Sequence, residues 1–285
     1  MTNSGYDILI AGGTVAACQF AMDAAGQGRR VVLATPHAYL ATDQTATLRT
    51  WDDDDAPVAE DPGPVKREWM RRLRETDVSV LCQCRPIGLL TSADGAACGV
   101  IVATKSGLRA LQGGTVVDAT PNRLLARLGG ADIEKTTPTF RWCFEVASLQ
   151  IPEDAVFPLT LTVPEDVGLV QNRVVLRRFP GPNAAVVEIE FEGPEDDDPS
   201  TRAHALTVAV MQHLVKNEPM FHSANIGRLA EAVAGKPPRV ADGLPPGLFT
   251  VDSAVAETQS AHVEAQTAIL GPELHVPLGD LNPST

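Results

Sequence analysis

Two adjacent glycines behind an apolar strand are the residues best placed to do chemistry in this chain. Tyr6 to Ala11 (YDILIA) runs into Gly12, Gly13 and Thr14, and an Ala-rich stretch from Val15 to Gln27 follows at once. Glycines let the backbone approach a ligand closely. A helix starting directly behind them aims unsatisfied N–H groups and the positive end of its dipole at the turn, and the usual occupant of such a turn is a pyrophosphate. Metal chemistry finds no comparable pattern. Cys18, Cys82, Cys84, Cys98 and Cys143 are an odd, scattered set, which argues for reduced thiols in a cytoplasm. Cys82-Gln83-Cys84 is too tight for a zinc pair of the CxxC type, no second Cys/His pair follows, and it reads as ordinary strand residues. His204 and His213, nine apart on an expected helix, fall on opposite sides of it.

The elements around the turn are legible from period and punctuation. Gly28 stops the first helix, and Arg30 to Thr35 (RVVLAT) is a second, β-branched strand, so strand, turn, helix and strand make a βαβ unit with parallel strands. Trp51 to Pro64 (WDDDDAPVAEDPGP) reads as a solvated excursion. Val65 to Glu75 reads as a helix, with Val65, Trp69 and Leu73 on one stripe and Lys66, Arg67, Arg71, Arg72 and Arg74 on the rest. Residues 78–120 read as strands joined by turns, and Asn122 to Leu128 as a short helix. After Lys135 come further strands, a helix from Thr201 to Lys216 capped by Ser200, and one more short helix marked by Ile226, Leu229 and Val233. The tail after Gly235 is weakly patterned.

Composition narrows the partners. The chain has 285 residues, 44% hydrophobic and 21% charged, which excludes a disordered, collagenous or coiled-coil protein. Its net charge of −13 disfavours nucleic acid, which such a surface repels. The start lacks a basic n-region, and no stretch reaches the roughly 20 apolar residues of a membrane span, so a cytoplasmic protein is expected. A protein partner would meet the basic helix 65–75 or the acidic loops.

With these parts in order, YDILIAGGTVAACQFAMDAAGQGRRVVLAT resembles the amino-terminal FAD-binding motif of flavin-dependent oxidoreductases with the glutathione-reductase-type fold. DGAACGVIVATKSGLRALQGGTVVDAT is similar to the β-meander and last parallel strand of that domain. TPTFRWCFEV and MQHLVKNEPMFHSANI are similar to the inserted substrate-side domain of one subgroup. The resemblance implies an α/β fold: a Rossmann-like FAD domain over 1–130, an α+β substrate-like or interaction domain over 131–240, and an extended C-terminal segment over 241–285 that returns to the first. It implies FAD as cofactor, a small-molecule substrate, and a site made by Gly12, Gly13, Thr14, Ala17, Thr35, Thr120 and Asp280.

Several of these positions depart from the family pattern. Against GxGxxG, Gly12 stands first, Thr14 replaces the second glycine and Ala17 the third, so a side chain stands where the backbone approaches the pyrophosphate. Thr35 replaces the acid that bonds the ribose. Tyr39-Leu40-Ala41-Thr42 lacks the Gly-Gly that relatives carry there, and Pro121, which has no N–H, replaces a glycine after the DAT strand. HVPLGD (275–280) is the nearest match to the family's last flavin-holding segment, with five residues after it, so the chain reads as a C-terminally short member. Two functional readings follow. One is an FAD-dependent oxidoreductase with a degraded cofactor site, and the other a non-catalytic, flavoprotein-derived subunit of a larger complex. NAD(P) is a weaker third, because Arg29 and Arg30 precede the second strand instead of following it. His37 reads as a surface-loop histidine, and no catalytic acid or base is named.

Overall fold

A computed structural model describes residues 5–49, 51, 62–134, 138–178, 181, 183–193, 199–235 and 238–251. In chain order, β1 (Tyr6–Ala11) leads through the glycine turn into α1 (Val15–Gly26) and β2 (Val31–Ala34). The short α2 (Thr42–Thr45) and α3 (Pro62–Arg74) precede β3 (Ser79–Leu81), β4 (Arg85–Thr91), β5 (Ala97–Thr104) and the long β6 (Gly107–Asp118). Then come α4 (Leu124–Leu128), β7 (Asp132–Ile133), β8 (Thr139–Ala147), β9 (Leu159–Thr162), β10 (Arg173–Arg178) and β11 (Ala185–Glu192). The last elements are α5 (Pro199–Asn217), β12 (Asn225–Leu229), β13 (Ala234–Gly235), β14 (Val240–Asp242) and β15 (Leu248–Thr250). The described residues fall into two compact units, one from those within 5–42, 66–134 and 238–251, the other from those within 43–51, 62–65 and 138–235.

The first unit is built on a seven-stranded sheet ordered β3-β2-β1-β6-β5-β4, with β15 also paired to β6. The pairs β1–β2, β1–β6, β2–β3 and β6–β15 are parallel, and β4, β5 and the first half of β6 form an antiparallel meander. β1 and β2 are almost wholly apolar because parallel strands are covered on both faces. Ile8 to Ala11 and Val31 to Ala34 are accordingly buried. Parallel strands all end at one edge, and that edge receives the Gly12–Thr14 turn, Thr35 and Thr120.

The second unit is an antiparallel sheet ordered β12-β8-β11-β10-β9, with β13 on β8. Trp142, Phe144, Val146, Val174, Leu176, Val187, Ile189 and Phe191 supply its core, together with Ala203, Leu206, Val210 and Leu214 of α5. Trp142 Nε1 donates to Thr207 Oγ1 of α5 at 3.0 Å, satisfying a buried indole.

Several local expectations are corrected. Residues 225–229 form β12, antiparallel to β8, where a short helix was expected. A register shift between Ile226 and Arg228 resets the side-chain phase, so apolar residues three apart mimic a helical stripe. Cys82 and Cys84 are not strand residues: they follow β3 in a turn with Gln83 at φ 56°. Trp51, expected in a solvated excursion, is buried in the second unit's core. α3 starts at Pro62, because prolines at 62 and 64 fit a helical first turn, and α5 starts at Pro199, which places Ser200 inside the helix. The weakly patterned tail supplies β14 and β15. Positions 275–280 lie outside the described residues. Among those described, no helix is long and apolar enough to cross a membrane.

Candidate functional site

The carboxyl edge of β2, β1 and β6 brings together the residues expected to meet a dinucleotide. Ala11 pairs with Ala34 on one side and Asp118 on the other, so the turns after the three strands are neighbours. Gly12 has φ +132°, and a β-carbon there would lie 2.3 Å from the Ala119 carbonyl oxygen. The turn is therefore pressed against the residue after β6, which explains the glycine without any ligand. A β-carbon on Gly13 would meet Thr35 Oγ1 at 2.8 Å. Thr14 takes φ −69° and ψ 164°, ordinary for an N-cap, and is 3% exposed.

The polar atoms of this edge are largely engaged within the chain. Thr14 Oγ1 accepts from Ala17 N–H at 3.2 Å, capping α1 with its own side chain. Gly12 N–H donates to the Ala34 carbonyl, and the Gly13 carbonyl accepts from Thr42 N–H. Thr35 is 0% exposed, and its hydroxyl accepts from His37 N–H at 3.3 Å. Thr120 donates its hydroxyl to Asp118 Oδ1 at 2.6 Å and accepts from Leu124 N–H at 2.8 Å. Asp118, also fully buried, takes Ala126 N–H on its other oxygen, so the pair caps α4. Ala17 is fully buried in α1. Ala41, where the resemblance led glycine to be expected, holds φ 55°, the left-handed conformation glycine adopts without a β-carbon penalty.

Two features of this edge were not found from the sequence. Arg123 is 3% exposed and spends its guanidinium on the carbonyls of Asp118, Val251 and Pro238, tying the ends of β6 and β15 together. β15 itself is the other. The signal for it was present in the apolar, β-prone Leu248-Phe249-Thr250-Val251 after Gly247, but three paired residues are too few to stand out.

The basic helix is largely self-neutralised. Glu68 accepts from Arg71 and Arg72, Arg71 also pairs with Glu75, and Lys66 lies 3.4 Å from the Tyr39 ring centroid. The two arginines hold the Glu68 carboxyl down to about 2.

Among the described residues no group of three metal-ligating side chains converges. Burial pushes the Cys82 thiol up and the Cys143 thiol well up, Cys143 being fully enclosed. In native protein at mildly alkaline pH, a thiol reagent is expected to titrate Cys82 and Cys98, while Cys18, Cys84 and Cys143 stay silent until urea is added. Prompt reaction of all five would contradict the burial.

No family model matches the sequence, and no curated protein does either. Solved structures do share the fold. A geranylgeranyl bacteriochlorophyll reductase-like protein from Thermoplasma acidophilum superposes with a TM-score of 0.61 at 13% identity, over 94% of this chain and 79% of that one. The flavin-dependent brominase Bmp2 gives 0.57 at 12% identity, over 87% and 71%. The myxobacterial chondrochloren halogenase CndH, a variant of the FAD-dependent halogenases, gives 0.54 at 13% identity, over 93% and 73%. The chain therefore has the Rossmann-like α/β fold found in FAD-dependent enzymes.

Proposed function

We propose that this chain is an FAD-dependent oxidoreductase-type protein whose dinucleotide cradle is closed against its own backbone, so that the isolated chain retains FAD poorly. One observation carries the reading: the hydroxyls of Thr14, Thr35 and Thr120, all at positions that would touch the cofactor, are each bonded to neighbouring backbone or side chain. A pyrophosphate needs the first N–H groups of α1, and Thr14 already takes that of Ala17. A ribose needs an acceptor that reaches out of the sheet, and Thr35 is enclosed. These residues do not fit tightly held FAD, so no chemical step is derived through it.

The same observation supports a second reading, a flavoprotein-derived subunit that serves a larger oxidoreductase without chemistry of its own. Arg67 and Arg74, exposed on α3, would then be the cations offered to an acidic partner. One measurement tests the closed cradle that both readings share, and a second separates them. Flavin absorbance of the purified chain is expected to fall well short of one flavin per chain; a stoichiometric yellow preparation would sink the closed-cradle reading. Native mass in the source extract decides the rest, since a co-purifying larger flavoprotein favours the subunit and a bare homodimer counts against it.

A further inference from the structure

The turn after β3 sets two thiols one residue apart, and the glycine edge makes no use of either. β3 ends at Leu81, and Cys82, Gln83 and Cys84 follow as a turn before β4 begins at Arg85. Gln83 takes φ 56°, in the left-handed region that residues other than glycine seldom enter. Two backbone bonds hold the turn in place. Gln83 N–H donates to the His37 carbonyl at 3.0 Å, and Cys84 N–H to the Thr35 carbonyl at 2.8 Å. A helical bend at one residue, of either hand, brings the flanking Cα atoms to about 5.4 Å, against roughly 6.8 Å in an extended strand. The shorter span is close to the commonest one across a disulfide.

The two thiols differ in access. Cys84 is 7% exposed, and its thiol turns back to donate to the Cys82 carbonyl at 3.4 Å. Cys82 is half-buried, so a small reagent reaches it. Burial first, and the neighbouring Cys84 second, push the Cys82 thiol up. Thiol–disulfide exchange passes through a mixed disulfide and depends on access to the attacking sulfur. A reachable thiol beside an enclosed one therefore divides the work: the first forms the mixed disulfide, and the second resolves it from within.

We propose that Cys82 and Cys84 form a dithiol site that exchanges with small organic disulfides. The Cys82 thiolate attacks one sulfur of R–S–S–R, that S–S bond breaks, and the first RS⁻ leaves and takes up a proton. Cys84 gives its proton to solvent and attacks the Cys82 sulfur, which expels the second RS⁻. The two cysteines lose two electrons and close a Cys82–Cys84 disulfide, while the small disulfide gains them and leaves as two thiols. The exchange needs no flavin, so it stands or falls apart from the closed-cradle reading.

The test uses the reduced full chain, native at mildly alkaline pH, mixed with excess bis(hydroxyethyl) disulfide. The sample is quenched in acid, alkylated in denaturant and mapped by peptide mass. The peptide spanning 82–84 is expected to lose two hydrogens and to carry neither an alkyl group nor mercaptoethanol. Buried Cys18 and Cys143 should be alkylated only, which shows that the fold held during the reaction. Cys84→Ser should stop the reaction with mercaptoethanol on Cys82, halving the small thiol released from this turn. Cys82→Ser, at the half-buried position, should leave Cys84 alkylated, because the enclosed thiol is reached only through its neighbour. In the unaltered chain, a lasting mixed disulfide on Cys82 beside an alkylated Cys84 would overturn the proposal. So would two alkylated cysteines in a sample whose half-buried Cys98 has taken up mercaptoethanol, or mercaptoethanol on Cys84 in Cys82→Ser.

Discussion

A Gly12→Ala chain is expected to lose about 3–5 kcal/mol of folding stability, from backbone strain plus overpacking. Its φ of +132° lies outside the space an L-residue adopts, and the new methyl would stand 2.3 Å from the Ala119 oxygen, 2.6 Å from its carbon and 2.9 Å from its side chain. None of those atoms can retreat cheaply. Ala119 N–H bonds to the Ala11 carbonyl, and Gly12 N–H to Ala34, so both sides of the contact are fixed by the central parallel strands. Set against a typical net stability of about 5–15 kcal/mol, a loss of that size unfolds a large fraction of the chain at mild urea concentrations. Gly26→Ala is the matched comparison: nothing lies within 4 Å of its added β-carbon, and it sits at the end of α1. That variant should gain up to about 1 kcal/mol from helix propensity. Urea midpoints for the two variants should move in opposite directions; a Gly12→Ala midpoint level with the unaltered chain would show that the turn is not pressed against Ala119.

The second large effect is expected from reopening the cradle. Thr14→Gly removes the side chain that caps Ala17 N–H, and Thr35→Glu restores a carboxylate at the end of β2. A charge-assisted bond to a ribose hydroxyl is worth about 1.5–3 kcal/mol, so the double variant should bind FAD roughly ten- to a hundredfold more tightly. The unliganded double variant should also be less stable, because position 35 is enclosed and an ionised carboxylate there loses its hydration. Adding FAD at about a hundred times its dissociation constant should return about 2.7 kcal/mol, seen as a rise in melting temperature that the unaltered chain does not show. An equal FAD-dependent rise in both proteins would mean that the inward hydroxyls do not limit binding.

The parts of this fold that repeat within a few residues were readable in advance. β1, the glycine turn, α1 and β2 followed from an apolar run, two glycines, an Ala-rich stretch and a β-branched run, and the structure forms each of them. The meander and α4 followed from turn residues between apolar stretches. The candidate site was legible to the same depth: Gly12, Gly13, Thr14, Thr35 and Thr120 do gather at one sheet edge, because a βαβ unit sends its parallel strands to the same end. β12 was misread because its irregular register breaks the period-two signal. β15 was missed because its partner strand lies more than a hundred residues earlier in the chain. The buried Trp51 was hidden by the acidic run that follows it.

What the sequence determined by itself was the set of local elements, and which residue types stand at the glycine turn and strand ends. Backbone propensity and hydrophobic period act over one or two turns of chain, so they leave their mark there. What only the tertiary structure decided was which of these residues are enclosed and which distant charges meet. Thr14, Thr35 and Thr120 could have faced a ligand. Their partners lie close in sequence, Ala17 for Thr14, His37 for Thr35, and Asp118 and Leu124 for Thr120, and packing decided that the edge around those local bonds is enclosed. The same holds for the approach of Arg141 and Arg177 to Glu188, since antiparallel register sets distant strands side by side. A guanidinium meets whatever carboxylate packing brings near it, and between strands that are distant in sequence packing alone makes that choice.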